Sequence, residues 1–180
     1  MKFREVTLAS GQSFQVPQGI QRIDSKSTHG WQVRCQGTKL FSDGESADAQ
    51  LSLAKATREL AARISAMPAP SGLKQGPSAN KTSDLPAGIS GPIVRQRAGR
   101  APSAVLSVLL PRFGMSAEVK TVHIASENTY TVEKYLTALA KSTEMRAAAV
   151  KRYEQDALQA QHSTIVSLRK QAQALRTHRA

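Results

Sequence analysis

The 180-residue chain carries 25 lysine and arginine residues against 13 aspartate and glutamate residues, which gives a formal net charge of +12. This excess favours an anionic partner, either nucleic acid or an acidic membrane surface. No apolar run approaches the ~18 residues of a membrane-spanning helix, so we expect no membrane partner. One cysteine, Cys35, excludes an intramolecular disulfide framework and fits a cytoplasmic compartment.

Residues 1–18 predict a β-hairpin with a structural role. Val6 and Leu8 alternate with polar residues, Ser10-Gly11 supplies the turn, and Phe14 and Val16 alternate on the returning strand.

Residues 19–66 predict three short strands followed by one helix. The strands are expected at 20–23, 31–35 and 39–41, with turns at Gly30 and at Gln36-Gly37. The helix is expected to start from an N-cap at Ser46. Its apolar stripe covers the sheet and consists of Leu53, Ala56, Leu60, Ile64 and Met67. Such a helix gives a small sheet the core that it lacks alone.

The middle strand sorts its side chains by period two. Trp31, Val33 and Cys35 are expected to face the helix, whereas the outward side chains are Gln32, Arg34 and Gln36. Arginine and glutamine form bidentate hydrogen bonds to guanine and adenine in the major groove, so this face is a candidate DNA reader. An ordinary solvated sheet face is the alternative.

The ordered motifs GI-x-R-ID, THGW-x-VR and K-x-FSD before an alanine-rich helix resemble the Apetala-two / ethylene-response-factor family of DNA-binding domains, and its bacterial and phage members most closely. The resemblance covers residues 19–64. It implies a sheet that enters the major groove with the helix behind it. The DNA contacts expected in this module are Arg22, Lys26, His29, Gln32, Arg34, Gln36 and Lys39. A plain turn histidine is the alternative for His29.

Residues 67–86 are rich in Pro, Gly and Ser and predict a flexible linker. The strand pattern then restarts in residues 87–153, with strands expected at 88–100, 104–110 and 119–124 and a helix from near Thr131. Residues 52–64 and 138–150 share six identities in 13 positions, which indicates a second copy of the module.

The predicted outer face of the second copy is more apolar than that of the first. It consists of Val105, Ser107, Leu109, Thr121 and His123, which favours packing against a partner. The basic residues lie in the first strand and the turns, where phosphate contacts and a solvated edge are both open readings. These candidate contacts are Arg95, Arg97, Arg100, Arg112 and Lys120.

Residues 154–180 predict a basic helical extension. Leu158, Ile165, Leu168, Ala172 and Leu175 follow an approximate heptad spacing, so the extension either packs back on the modules or pairs with a second chain. From Gln159 onward it carries four cationic residues and no acidic one, and these are Arg169, Lys170, Arg176 and Arg179.

The chain offers no constellation for catalysis. Its four histidines are far apart in sequence and show no zinc spacing, and no phosphate-binding glycine motif occurs, so we expect neither enzymatic activity nor a cofactor or metal. The sequence therefore predicts an α+β protein with two small modules, each a three-stranded antiparallel sheet packed on one helix, plus the helical extension.

The expected function is sequence-specific binding of double-stranded DNA by a cytoplasmic, nucleoid-associated transcriptional regulator of bacterial or phage origin. A homodimer could form through the second module or the C-terminal helix. The alternatives are a non-specific nucleoid or RNA-binding protein, and a protein-interaction adaptor that uses the second module.

Overall fold

The computed structural model describes residues 1–73, 76 and 81–177. Within these ranges the protein is α+β, with three small antiparallel sheets and two α-helices. The strands are β1 (Phe3–Thr7), β2 (Ser13–Pro17), β3 (Ile20–Asp24), β4 (His29–Val33), β5 (Lys39–Ser42), β6 (Ile89–Arg95), β7 (Ser103–Leu110) and β8 (Glu118–Ser126). The helices are α1 (Ala49–Ala66) and α2 (Val132–Thr177), and a single 3-10 turn (Glu127–Thr129) precedes α2.

The residues group into two compact units. Unit 1 comprises Met1–Ala69 and Gln159–Ala180, and unit 2 comprises Pro70–Leu158. Helix α2 contributes to both, and residues 154–177 of the predicted helical extension form its C-terminal part. The predicted linker at 67–86 falls partly on residues 74, 75 and 77–80, which lie outside the described residues.

The predicted N-terminal hairpin is present in unit 1. Strands β1 and β2 pair in antiparallel register, and the Thr7 and Ser13 hydroxyls lie 2.8 Å apart across the pair. Gly11 has a φ of +84° in the turn, which is a conformation that glycine adopts without strain. Phe14 and Val16 of β2 are buried in the core of unit 1, so the hairpin supplies part of that core.

Strands β3, β4 and β5 form the second sheet of unit 1. Trp31 and Val33 of β4 are fully buried under α1, as period two predicts. The indole Nε1 of Trp31 donates a hydrogen bond to the Ala49 carbonyl at 2.7 Å, and the Phe14 ring meets the Trp31 ring edge-on at 5.8 Å. Trp31 therefore joins the sheet, the hairpin and the start of α1.

Two local predictions in unit 1 were wrong. The N-cap of α1 is Asp48 rather than Ser46, since an Asp48 carboxylate oxygen accepts from the Leu51 amide at 2.8 Å. Gly30 is not in a turn but within β4, where it is buried. A Cβ at Gly30 would lie 2.9 Å from the Ser42 Cα and would clash with the Phe41 carbonyl, so the close approach of β5 requires glycine here.

The core of unit 1 also includes the C-terminal part of α2. Leu168 is fully buried against the α1 residues Leu53 and Leu60 in one cluster. The Gln161 side-chain amide donates to the carbonyls of Ile64 and Met67 at 2.8 and 2.9 Å, which satisfies acceptors at the C-terminus of α1. The predicted extension thus packs back within the chain, and one helix per sheet does not describe unit 1.

Unit 2 follows the strand order β6–β7–β8 and buries its sheet against the first part of α2. Its core cluster consists of Ile89, Leu106, Val108, Leu110, Val122, Ile124, Ala125 and Ala138. Val105, which the alternation predicted to be exposed, is only 6% exposed. Val105 nevertheless pairs with the exposed His123 and keeps the phase of Ser107 and Leu109, because the register shift between Ala104 and Val105 places its extra residue, Ile124, in β8. Leu109 is exposed as predicted.

Candidate nucleic-acid interface

The sheet of unit 1 turns one face away from α1. Its cross-strand rows are Gln21–Gln32–Leu40 and Ile23–Gly30–Ser42, which alternate with the rows that α1 covers. We call this surface, together with Arg34 just beyond β4, the outer face. It is defined by Gln21, Ile23, Gly30, Gln32, Arg34, Leu40 and Ser42.

Gln32 and Arg34 form a hydrogen-bonded pair on the outer face. The Arg34 Nε donates to the Gln32 Oε1 at 2.7 Å, and the Arg34 amide donates to the Gly19 carbonyl at 2.8 Å. The Arg34 side chain is exposed, and its terminal nitrogens have no acceptor among the described residues. This arrangement orients two polar side chains while leaving donors for a ligand.

The turn after β4 carries Gln36, which is exposed and has a φ of +54°. Arg63 of α1 fixes this turn from the other side of the sheet. Its NH1 donates to the carbonyls of Cys35 at 2.7 Å and Gly37 at 2.8 Å. Arg63 therefore fixes the turn that carries Gln36 at the end of the outer face, while Arg63 itself lies on the α1 side of the sheet.

The structure adds three residues that the sequence interpretation missed. A shallow depression of about 440 Å³ lies beside the outer face and is lined by Lys2, Arg4, Gln21 and Arg34 among others, with no acidic side chain among its described residues. The Arg4 guanidinium donates to the Ile20 carbonyl at 3.1 Å, which holds it there. Gln21 could have been found only with the phase of β3 known, since Ile20 and Ile23 point to opposite faces and either phase fits the apolar pattern. Lys2 and Arg4 could not, because their position depends on how the hairpin packs.

Arg22, one of the predicted DNA contacts, does not lie on the outer face. Its guanidinium pairs with Asp43 at 2.7 Å and with Asp24 at 2.8 Å, and the Arg22 and Asp43 side chains are only 12% and 4% exposed. Burial alone would lower the pKa of Arg22, but the hydrogen bonds and negative charges of Asp24 and Asp43 raise it overall. Arg22 is thus a permanently charged partner of a buried carboxylate.

Two further predicted contacts, His29 and Lys39, also lie in the rows on the α1 side of the sheet. His29 Nδ1 is 2.9 Å from Asp24, and Lys39 is 3.1 Å from Glu59 of α1. Hydrogen bonds from Lys39, and next from Arg63, lower the pKa of Glu59. Both side chains are exposed at the sheet edge, and each already has an acidic neighbour within hydrogen-bonding distance. Lys26 is exposed between β3 and β4.

The candidate contacts of unit 2 fall into separate places. Arg95, Arg97 and Arg100 are exposed at and beyond the end of β6, and none of them pairs with a carboxylate in the described part of the chain. Arg112 donates to the Ser116 carbonyl at 3.0 Å in the turn after β7. Lys120 lies opposite Val108, on the helix side of its sheet, and is 3.5 Å from Glu118. Only the first three form one accessible basic loop.

The C-terminal cations Arg169, Lys170 and Arg176 are exposed on α2, and Arg179 lies outside the described residues. Cys35 is half-buried, with its Sγ 3.9 Å from the Met67 Sδ. Among residues 1–73, 76 and 81–177, no group of three or more His, Cys, Asp or Glu side chains could hold a metal ion. None of the helices in these ranges combines the length and apolar character needed to cross a membrane.

Comparison of the chain with protein-family models, with curated proteins and with solved structures gives no match.

Proposed function

We propose that this protein binds double-stranded DNA and that the outer face of unit 1 reads the bases. The observation that carries the proposal is the Gln32–Arg34 pair, which is exposed on the sheet face opposite α1 at a separation of 2.7 Å. The depression that contains Lys2 and Arg4 borders this pair on one side. The arrangement supports base contacts at the centre and phosphate contacts at the edge.

The chemistry of the outer face suits a major groove. Glutamine side chains such as Gln21 and Gln32 can pair with adenine, and the free guanidinium nitrogens of Arg34 can pair with guanine. Leu40 is exposed in the same cross-strand row as Gln32, which allows an apolar contact with a thymine methyl group.

We infer that the two units are tandem Apetala-two-like modules. The order of three antiparallel strands followed by a helix occurs twice, as β3–β4–β5–α1 and as β6–β7–β8–α2. In this proposal Arg95, Arg97 and Arg100 of the second module contact phosphates. The protein would be a non-enzymatic transcriptional regulator associated with the nucleoid in the cytoplasm, and it could act as a homodimer.

Non-specific nucleic-acid binding is the second candidate. One observation favours it: of the four arginine and lysine contacts predicted in this module, only Arg34 lies on the outer face. Arg22 and Lys39 pair with acids on the α1 side, and Lys26 lies between β3 and β4. A face with one free arginine has limited capacity to discriminate between sequences, while the net charge of +12 still attracts any duplex.

The two candidates differ in what Arg34→Ala does. Sequences selected from random duplex DNA would be compared with scrambled duplexes by fluorescence anisotropy at several salt concentrations. For specific readout, Arg34→Ala lowers affinity for the selected sequence by roughly 1–3 kcal/mol and abolishes the preference. Arg58→Ala is the matched control, since Arg58 is exposed on α1 and its loss removes the same charge.

The control variant should weaken all duplexes equally and keep the preference. If the two variants behave alike and the wild type shows no preference, binding is non-specific. If the wild type binds no duplex at moderate salt, the proposal of DNA binding is wrong.

A further inference from the structure

Unit 2 contains a large open pocket, and the charged residues that line it in the described part of the chain are all basic. It has a volume of about 990 Å³ and lies where the segment before β6, the turn after β7 and helix α2 meet. We call it the basic pocket, and its key residues are Lys81, Gly88, Leu109, Arg112, Arg146 and Tyr153. Three cationic side chains line it, and none of its described lining residues is acidic.

The two arginines keep most of their hydrogen-bonding capacity. One NH1 group of Arg146 donates to the Leu109 carbonyl, and the Arg112 Nε donates to the Ser116 carbonyl at 3.0 Å. A guanidinium has five N–H donors, so several on each residue have no acceptor among the described residues. Neither arginine forms an ion pair with a described residue. Both are anchored by a backbone carbonyl and remain available to an anion.

Lys81 and Tyr153 have different roles in the pocket. Lys81 donates to the carbonyls of Leu85, Pro86 and Ile89, so its three N–H groups are already used and it contributes charge rather than donors. The Tyr153 hydroxyl accepts from the Gly72 amide at 3.0 Å. Its own proton remains free to be donated, and the Phe113 ring holds the Tyr153 ring edge-on at 5.4 Å.

Gly88 contributes only backbone atoms to the wall of the basic pocket. Gly88 has a φ of +78°, and a Cβ at this position would clash with the Arg146 guanidinium. The positive φ favours glycine at this position, and the absence of a side chain lets the Arg146 guanidinium lie against the Gly88 backbone. Leu109 and Met115, both exposed, give the same pocket an apolar side. Its volume exceeds what one phosphate fills and falls within the range of small-molecule sites.

We propose that the basic pocket binds a free phosphate-bearing small molecule with an apolar ring, of which a nucleoside monophosphate is the simplest example. The phosphate accepts hydrogen bonds from Arg112, Arg146 and Tyr153, while the ring rests on Leu109 and Met115. Charge-assisted bonds to guanidinium groups provide the affinity, and the uncompensated positive charge attracts the anion. This site lies in unit 2 and does not depend on the DNA-binding proposal for unit 1.

Isothermal titration of the full chain with adenosine monophosphate, inorganic phosphate and adenosine tests the proposal. We expect one molecule of adenosine monophosphate to bind, phosphate to bind more weakly, and adenosine to bind weakest. Arg112→Gln should weaken adenosine monophosphate binding roughly 10-fold or more, because it removes bonds to a charged group. Lys141→Gln is the matched control and should leave this binding unchanged, since Lys141 is an exposed cation in the same unit but does not line the pocket.

A second variant keeps the test interpretable if Arg112→Gln fails to fold. Ala117→Glu places a carboxylate in the exposed lining of the pocket and should weaken binding as strongly, whereas Ala101→Glu, exposed in the same unit, should not. Equal binding to the wild type and to both pocket variants would overturn the proposal. The proposal would also be overturned if Arg112→Gln lowered the affinity for a DNA duplex while adenosine monophosphate neither bound the protein nor competed with that duplex. The pocket would then hold a DNA phosphate.

Discussion

The Arg22 guanidinium carbon lies 5.1 Å from the centre of the Trp31 ring. The two residues are direct partners in the pairing of β3 with β4, so they share the sheet face that α1 covers. A guanidinium over an indole ring is attracted by the electrons of the ring, and here it also neutralises the buried Asp43. Arg22 therefore belongs to the framework that supports the outer face.

Replacing Arg22 should affect stability rather than DNA recognition. Arg22→Met leaves Asp43 buried without its cation, and breaking a buried pair in this way costs roughly 3–5 kcal/mol of the free energy of unfolding. Denaturant unfolding followed by fluorescence measures this, because Trp31 is the single tryptophan of the chain and lies in the core of unit 1. Arg34→Ala is the control and should change stability by less than about 0.5 kcal/mol. A stable Arg22→Met variant with impaired DNA binding would restore Arg22 to the interface.

Leu168 should be essential to unit 1 although it is distant in sequence. Its side chain is fully buried among residues of the hairpin, the sheet and α1. Leu168→Ala should lower the free energy of unfolding, as reported by Trp31 fluorescence, by about 2–5 kcal/mol. Leu158→Ala provides a matched control on the same helix, because Leu158 is 56% exposed. Equal stabilities of the two variants would mean that the C-terminal part of α2 does not pack on the hairpin, the sheet and α1 in solution.

Thr57 offers a route to higher stability. Its side chain is fully buried on α1, and its hydroxyl has no hydrogen-bond partner within the described structure. Thr57→Val keeps the shape and removes an unsatisfied polar group, so it should raise the free energy of unfolding by about 1 kcal/mol. Ser52→Ala on the same helix should have the opposite effect, since the Ser52 hydroxyl lies 2.5 Å from an Asp43 oxygen. Fluorescence-detected unfolding would show the contrast, and a destabilised Thr57→Val would indicate that the hydroxyl is bonded.

Two carboxylates should make unit 1 less stable in acid. Hydrogen bonds from Arg22, and next from His29, lower the pKa of Asp24, while Lys39 and then Arg63 lower the pKa of Glu59. Because the folded pKa values lie below unfolded values of about 4, the stabilisation is present above that pH and is lost as the pH falls through the folded values.

The double variant Asp24→Asn/Glu59→Gln should therefore show a shallower fall in its Trp31-reported thermal midpoint between about pH 5 and 3. Glu45→Gln serves as the control, since Glu45 is exposed and has no hydrogen-bond partner among the described residues. Parallel pH profiles for the double variant and the wild type would contradict the assignment.

Period-two alternation was sufficient to locate most strands and to place Trp31 and Val33 inside. It was insufficient for Arg22, because Ile20 and Ile23 are both apolar and point to opposite faces, so either phase of β3 fits the pattern. The pairing with β4 decides the phase, and it brings Arg22 opposite Trp31. The register shift beside Val105 likewise cannot be read from alternation alone. Local patterns give the elements, whereas the partner strand determines which side chains face outward.

The candidate site was predictable to a similar extent. Gln32 and Arg34 follow from the inward phase of Trp31, and the structure places them together. Lys2 and Arg4 join Arg34 only through the packing of the hairpin, and Leu168 joins the same core only through the return of α2. Such long-range contacts leave no periodic signal in the sequence because they depend on the assembled tertiary structure.

The position of Leu168 has a consequence for how the protein forms on the ribosome. The core that encloses Trp31 is built from residues near the start of the chain and from a leucine that is translated after all of Pro70–Leu158. Part of the apolar surface of the β3–β4–β5 sheet and of α1 therefore stays uncovered while the intervening 89 residues are synthesised. At synthesis rates of about 5–20 residues per second this interval lasts several seconds. During nascent-chain growth, unit 2 can complete its fold before unit 1 does, although unit 1 is begun first.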